Sequence, residues 1–509
     1  MIYWLSELSG INENALRLLF SVLAGYPIAL AYRNQFLGPI ASLSDLDASH
    51  VRNNYLVVTG LGLSFFYNRW DIIHSLLTVA GTYAICVLVG NFLNNRFLSA
   101  CLIFLFNITY LLCGYVANSG TEYDLTWTMP QCVLCLRMIG FGMDYYDGES
   151  LAHQKADPDS KASEESKPEQ PAKVVSAPGA NKTKAPVSFG SDTPLEELPR
   201  FLHFVGYAYF FSAFLVGPQF SFSLYQKFIE GKSLTPDKDG KLPEGASQVA
   251  LRCFLKGLSY LALQQILDAY FPSSFLFTAE FRQLSFFRRV FVVWFTGRTM
   301  INKYLGVWAL NEGSCVLSGI AFNGYNSQGE AEWDGLTNID TYSFETATSL
   351  TQIVSCFNIN TNFWIKQYIF KRLRFLKSKE LSQLGSLFFL ALWHGFASGY
   401  FACFLLEFAD MWVEQRTSKV LSPRTQWIHS SKSPLRYVLN FMCYLYTSGA
   451  LFYAIISFGL LRFELYQEVY QSIYYVGHLI LFAIVGLASL LPRPSRKALS
   501  SADTAKKSQ

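Results

Sequence analysis

Apolar runs of near-membrane length recur along this chain, and they limit its folds more than any other feature. They cover about 16–32, 55–67, 71–90, 97–117, 128–142, 200–217, 247–266, 284–297, 299–322, 383–408, 435–461 and 469–491. Most approach the ~20 residues an α-helix needs to cross a hydrocarbon core of ~30 Å. A bilayer core offers no water to backbone N–H and C=O groups, so helices are the economical way to cross it. With 51% hydrophobic and 15% charged residues, the chain carries more apolar surface than a soluble protein of 509 residues can hide. The sequence therefore predicts an all-α polytopic membrane protein with ten to twelve apolar segments. No repeat of fixed period is present, which speaks against an inverted-repeat transporter.

Charge and cysteine usage exclude other classes. The formal charge of +4 is too small to point to nucleic acid. The ten cysteines are scattered, mostly inside apolar runs, unlike a disulfide framework. Cys132 and Cys135 form a CxxC, but no second pair or His pair completes a zinc site. The first residues lack a basic stretch and a small-residue cleavage site, so no cleaved signal peptide is expected.

Four regions follow from these patterns: N-terminal transmembrane helices (1–149), a flexible polar loop (150–199), a transmembrane core (200–491) and a basic cytosolic tail (492–509). The loop holds seven of the 18 prolines and one aromatic residue, Phe189, and it cannot bury enough apolar area to offset the entropy of ordering. Its Asn181-Lys182-Thr183 is a glycosylation sequon that only a lumenal loop would expose to modification. The tail is rich in Lys and Arg, which places it in the cytosol. It ends Lys506-Lys507-Ser508-Gln509, a dilysine that resembles an endoplasmic reticulum retrieval signal.

Polar side chains deep in apolar segments carry a desolvation cost and are where chemistry is sought. Of seven histidines, His394 stands out, about twelve residues from either end of segment 383–408. Gly395 and Gly399 leave space beside it for a substrate or another helix. A lone buried histidine is more often a structural hydrogen-bonder than a catalyst, yet a neutral imidazole can accept a proton near pH 7. His478, in the last apolar segment, competes with it. A second feature is Phe357-Asn358-Ile359-Asn360-Thr361-Asn362 at an apolar boundary. Asn360 and Asn362 read as N-caps of a helix beginning near Phe363, whereas Asn358 lies too far upstream to cap it. The basic run Lys366, Lys371, Arg372, Arg374, Lys377 and Lys379 suits either a juxtamembrane stretch or phosphate binding. Phosphate-loop, HExxH, GxSxG and HxxxxD patterns are absent.

Trp393-His394-Gly395 in an apolar segment, preceded 36 residues earlier by Asn358, resembles the signature of the membrane-bound O-acyltransferase superfamily. Residues 357–375, 381–408 and 131–148 are similar to the lysophosphatidylcholine acyltransferase type 3 branch of it. Phe357 stands where many members have Trp. The resemblance implies about eleven transmembrane helices around an internal reaction chamber. It also implies transfer of an acyl group from acyl-CoA to the sn-2 hydroxyl of a lysophospholipid in phospholipid remodelling, with lysophosphatidylcholine as first choice. His394 and Asn358 would be the catalytic residues. Lys366, Lys371 and Arg372 would meet phosphates of CoA or of a headgroup. Acyl-CoA is then a co-substrate, no cofactor or metal is expected, and a homodimer is compatible. Composition alone also allows a transporter or scramblase. The same superfamily includes enzymes acylating sterols, diacylglycerol or proteins, but the FNINTN block and the basic stretch after it favour the lysolipid branch.

Overall fold

The computed structural model describes residues 2–37, 44–118, 126–156, 186–190, 192–237, 240–430 and 434–490. The Asn181 sequon and the 492–509 tail lie outside them. Among the described residues the protein is helical, with two isolated β-bridges, Tyr325 to Ala331 and Ile339 to Phe357.

The helices used below are α1 (Glu13–Phe36), α2 (Asp45–Asn68), α3 (Ile72–Ile85), α4 (Arg96–Ala117), α5 (Thr128–Ala156), α6 (Ala246–Tyr270), α7 (Phe286–Ser318), α8 (Leu350–Cys356), α9 (Ile359–Ile365), α10 (Lys379–His394), α11 (Ser398–Ser430), α12 (Leu435–Leu460), α13 (Phe463–Ser472) and α14 (Val476–Leu490). A π-helical turn, Cys86–Phe92, prolongs α3. Several starts are set by local chemistry. Asn12, Ser44, Asn95, Ser349 and Ser378 each accept an N–H of the first turn with the side chain. Such caps are each worth typically ~1 kcal/mol.

Four of these helical stretches are long and apolar enough to cross a membrane: Glu13–Phe36, Asp45–Phe92, Arg96–Ala117 and Leu435–Leu460. A fifth arises if Phe463–Ser472 and Val476–Leu487, bent by 69°, form one span. Large apolar side chains such as Leu77, Leu105, Phe441 and Phe482 stand more than half exposed. In water a surface of this kind would drive association; lipid solvates it. Since lipid is as apolar as leucine, close packing rather than apolar burial must hold the helices together. Between α6 and α7 that packing runs through glycine. A Cβ on Gly257 would sit 2.6 Å from Leu310 Cγ and 2.9 Å from the Gly306 carbonyl oxygen, so the two backbones approach as only small residues permit.

Four expected segments fold differently. The 200–217 run is helical only over Phe201–Ala208. The irregular backbone after it survives burial because Arg137 reaches into it. The guanidinium, 1% exposed, donates to the carbonyls of Tyr207, Ala208, Ala213 and Pro218 at 3.0–3.4 Å. Unpaired, those carbonyls would each be costly. The runs 284–297 and 299–322 merge into the single helix α7, and 383–408 breaks into α10 and α11.

The 150–199 boundaries also need correction. Helix α5 continues to Ala156, and the end of the expected flexible loop is packed. The Val187 N–H donates to the Gly335 carbonyl at 3.1 Å and the Leu195 N–H to the Asp144 carbonyl at 2.9 Å, while Ser188 and Thr193 are buried. The cause is compositional: Val187, Phe189, Leu195 and Leu198 supply enough apolar contact for this end to join neighbouring clusters.

Candidate active site

Helix α10 delivers His394 at its last residue, not at mid-helix as the continuous apolar run suggested. Gly395 takes φ +130°, a region disfavoured for side-chain-bearing residues, and the chain re-enters a helix at Ser398. The end of α10 is strapped from two sides. The Tyr115 hydroxyl on α4 donates to the Trp393 carbonyl at 2.9 Å, and Trp393 Nε1 donates to the Cys132 carbonyl on α5 at 2.8 Å. Cys132 and Cys135 thus belong to a helical wall, and both are free thiols.

The imidazole sits in an aromatic cup. Tyr400, Phe404 and Phe458 place their ring centroids 5.3, 5.8 and 5.0 Å from it, yet the residue keeps accessible surface. Four other histidines among the described residues are occupied: His50 and His203 pair with each other, His74 with Tyr110, and His478 with the Tyr453 hydroxyl at 2.7 Å. Among the described residues, no hydrogen bond engages either ring nitrogen of His394. Of the two glycines, Gly399 serves helix packing: its N–H donates to the Leu461 carbonyl at 2.8 Å, and a Cβ there would lie 2.0 Å from the Ser457 carbonyl oxygen of α12.

Asn358 is reached through α8. Glu414 on α11 accepts the Leu350 N–H at 2.5 Å, the Thr351 N–H at 3.2 Å and the Thr351 hydroxyl at 2.5 Å, so it joins Ser349 in fixing the start of α8. Phe357 is extended, and Asn358 then adopts φ 49°, ψ 46°, the left-handed region that asparagine tolerates better than most side-chain-bearing residues. Helix α9 begins directly after it, four residues earlier than the sequence suggested. Asn358 therefore does occupy the N-cap position, but its side chain makes no capping bond. It is partly exposed, and its Oδ1 accepts from Asn338 Nδ2 at 3.2 Å.

Asn360 and Asn362, expected as caps, are staples instead. Asn360 Nδ2 donates to the carbonyls of Leu336 and Thr337, and Asn362 Nδ2 to those of Val354 and Phe357. Both positions already lie inside α9, so their side chains are free to bind the backbone that precedes it, in and just after α8 and in the loop before α8.

His394 and Asn358 do not touch: no hydrogen bond joins them among the described residues. They end a seam of rings in which Phe458, Tyr304, Trp308 and Phe357 follow one another at centroid steps of 6.5, 5.9 and 5.1 Å, with His394 against Phe458. Of the basic run, Lys366 and Lys371 are exposed. Lys371 Nζ donates to Gln367 Oε1 at 2.6 Å. Arg372 is already committed, to Asp147 at 2.7 Å. Among the described residues no group of three or more His, Cys, Asp or Glu is arranged to hold a metal.

Sequence reasoning missed Asn338 and Tyr115. Asn338 lies between the apolar runs 299–322 and 383–408, where a single asparagine between Thr337 and Ile339 was its only signal; Tyr115 lay within an apolar run.

The profile of the membrane-bound O-acyltransferase family matches residues 112–456, which include both Asn358 and His394. Lysophospholipid acyltransferase 5 of Rattus norvegicus is 35% identical over 480 residues, covering 94% of this chain and 88% of its own length. The protein of the same name from Caenorhabditis elegans is 30% identical over 504 residues, covering 97% and 96%. Lysophospholipid acyltransferase of Schizosaccharomyces pombe is 27% identical over 494 residues, covering 95% and 88%. The match spans both halves of the fold and the whole candidate site, and the chain belongs to the membrane-bound O-acyltransferase family.

Proposed function

We propose that this protein is an acyl-CoA-dependent lysophospholipid O-acyltransferase that re-acylates the sn-2 hydroxyl, with lysophosphatidylcholine as its leading acceptor. The observation that carries the reading is the state of His394: an imidazole held in an aromatic cup, with neither ring nitrogen hydrogen-bonded among the described residues. An alcohol is a poor nucleophile near neutral pH, so a base must take its proton during attack. His394 accepts that proton as the acceptor oxygen bonds to the thioester carbon. Negative charge builds on the carbonyl oxygen, and the Asn358 amide donates to it. The intermediate collapses, the C–S bond breaks, and the imidazolium returns its proton to the departing CoA thiolate. No covalent enzyme intermediate forms. The carbonyl end of α10 faces the imidazolium at its own last residue, an interaction worth ~0.3–1 kcal/mol. Tyr400, Phe404 and Phe458 limit water around the thioester.

Lys366 and Lys371 meet phosphates of CoA or of the headgroup, and Arg372 holds the turn to α5 through Asp147. About eleven membrane helices belong to this reading; four helical stretches among the described residues, or five with the bent pair, are long and apolar enough to cross on their own. The dilysine supports residence in the endoplasmic reticulum membrane. Homodimerisation remains compatible with all of this.

Purified protein in detergent, given acyl-CoA and a panel of lysophospholipids, sterol and diacylglycerol, is the test. Diacyl phospholipid should form with release of CoA. Turnover confined to sterol or diacylglycerol would refute the acceptor class, and lipid movement without acyl transfer would refute the enzyme.

A further inference from the structure

Asn338 is 2% exposed and lies 20 residues before Asn358 in the chain. It acts as a hub for the start of α9. Its backbone carbonyl accepts the Ile359 N–H at 3.0 Å. Its side-chain Oδ1 accepts the Asn360 N–H and Asn360 Nδ2, each at 3.2 Å. Its Nδ2 donates to Asn358 Oδ1, also at 3.2 Å.

The polarity of this network is forced. A backbone N–H can only donate, so the atom of Asn338 facing the Asn360 N–H must be the oxygen. The opposite end of the Asn338 amide is then the nitrogen, which can only donate. The atom of Asn358 that meets it must be an oxygen. The Asn358 nitrogen, with its two N–H donors, is therefore turned away from Asn338. Among the described residues no protein acceptor engages it, and the side chain is partly exposed. Asparagine alone would be free to present either end of its amide. An outward oxygen would repel a developing oxyanion, while an outward nitrogen stabilises it.

We propose that Asn338 is a positioning residue that sets the polarity of the Asn358 amide, so that N–H donors rather than the carbonyl oxygen face the acyl thioester. This rests on the donor role proposed for Asn358. Asn338 touches no substrate atom and acts only through its neighbour.

Asn338→Asp tests it, because the shape is kept and the polarity reversed. An ionised carboxylate still accepts the Asn360 N–H, but its second oxygen can no longer donate to Asn358, whose amide must flip. In single-turnover acyl transfer, normalised to bound acyl-CoA, the rate at about pH 8 should fall ~10²–10³-fold, as on loss of an oxyanion donor. The KM for acyl-CoA should stay unchanged. As pH is lowered toward the range where a carboxyl protonates, the ratio of the variant's rate to that of wild type should climb, since a neutral carboxylic acid regains an O–H donor. Glu312, which accepts from the adjacent Thr337, and Asp340, Cys356 and His394 are common to both proteins and divide out of the ratio. Asn338→Ala, which leaves the Asn358 amide free to turn either way, should lose less and show a flat ratio. Wild-type turnover in Asn338→Asp, or equal losses in both variants with flat ratios, would overturn the proposal. Asn358→Ala separates the two readings. If it is slow while Asn338→Asp is not, only the role of Asn338 fails; if it turns over like wild type, the donor role of Asn358 fails and the polarity argument with it.

Discussion

Gly399→Ala is expected to slow the reaction by loosening the cup around His394 without altering the imidazole itself. The added Cβ would lie 2.0 Å from the Ser457 carbonyl oxygen and 2.9 Å from both Cα and O of Leu461. All three are backbone atoms of α12 or its end, so no side chain can swing aside. Ordinary contact at ~3.5 Å requires the start of α11 to retreat from α12 by about 1.5 Å. Tyr400 and Phe404 ride on α11 and Phe458 on α12, so this displacement opens the cup directly. A misplacement of ~1 Å is enough to cost ~10²-fold in rate, and overpacking costs ~1–3 kcal/mol in stability. The assay is single-turnover acyl transfer in detergent beside a thermal unfolding curve. Gly449→Ala is the control: it is also on α12, and nothing lies within 4 Å of its added Cβ. It should be as active as wild type and at least as stable, since alanine favours helix. A Gly399→Ala protein with wild-type rate and stability would show that the α11–α12 contact does not hold the cup.

Three further outcomes are expected. His394→Ala should lose ~10²–10⁴-fold in turnover while still binding acyl-CoA; His478→Ala should be near wild type, and adding Asn358→Ala to His394→Ala should do little more, because residues acting as a unit are not additive. A His394→Ala rate above about a tenth of wild type would remove it as the base. Deleting 160–183 should leave turnover intact, whereas deletion through Thr193 should destabilise the protein by removing buried Ser188 and Thr193; equal melting temperatures for the two deletions would contradict this. EDTA should leave the rate unchanged, and a loss restored by one specific divalent ion would refute a metal-free reaction.

The helices were legible, and the two candidate site residues could be singled out, because their signals are local. Apolar run length marks a helix, and a histidine inside such a run or a cluster of asparagines at an apolar boundary is conspicuous. What escaped was decided by partners distant in sequence. No property of 200–217 announces that its helix stops at Ala208; the stop depends on Arg137, some seventy residues earlier, satisfying the carbonyls beyond. The break at Gly395 hides in an unbroken apolar run because Phe396 and Ala397 look like helix interior. The packed end of the 150–199 loop was lost by averaging, as the polar stretch before it masks Val187, Phe189, Leu195 and Leu198. Asn338 is a single asparagine in the sequence and gains its meaning only when the start of α9 folds against it.

The left-handed backbone at Asn358 also bears on how this position can drift through evolution. Glycine fits the dihedral angles and brings no amide; aspartate tolerates them and brings an acceptor where a donor is wanted; glutamine has the amide on a longer arm and resists the backbone. With the donor role proposed for Asn358, fold and reaction veto different letters, and their permitted sets overlap at a single one. A saturation library scored for activity should read as nearly monomorphic here, while the same library scored only for expression should retain glycine and aspartate as well.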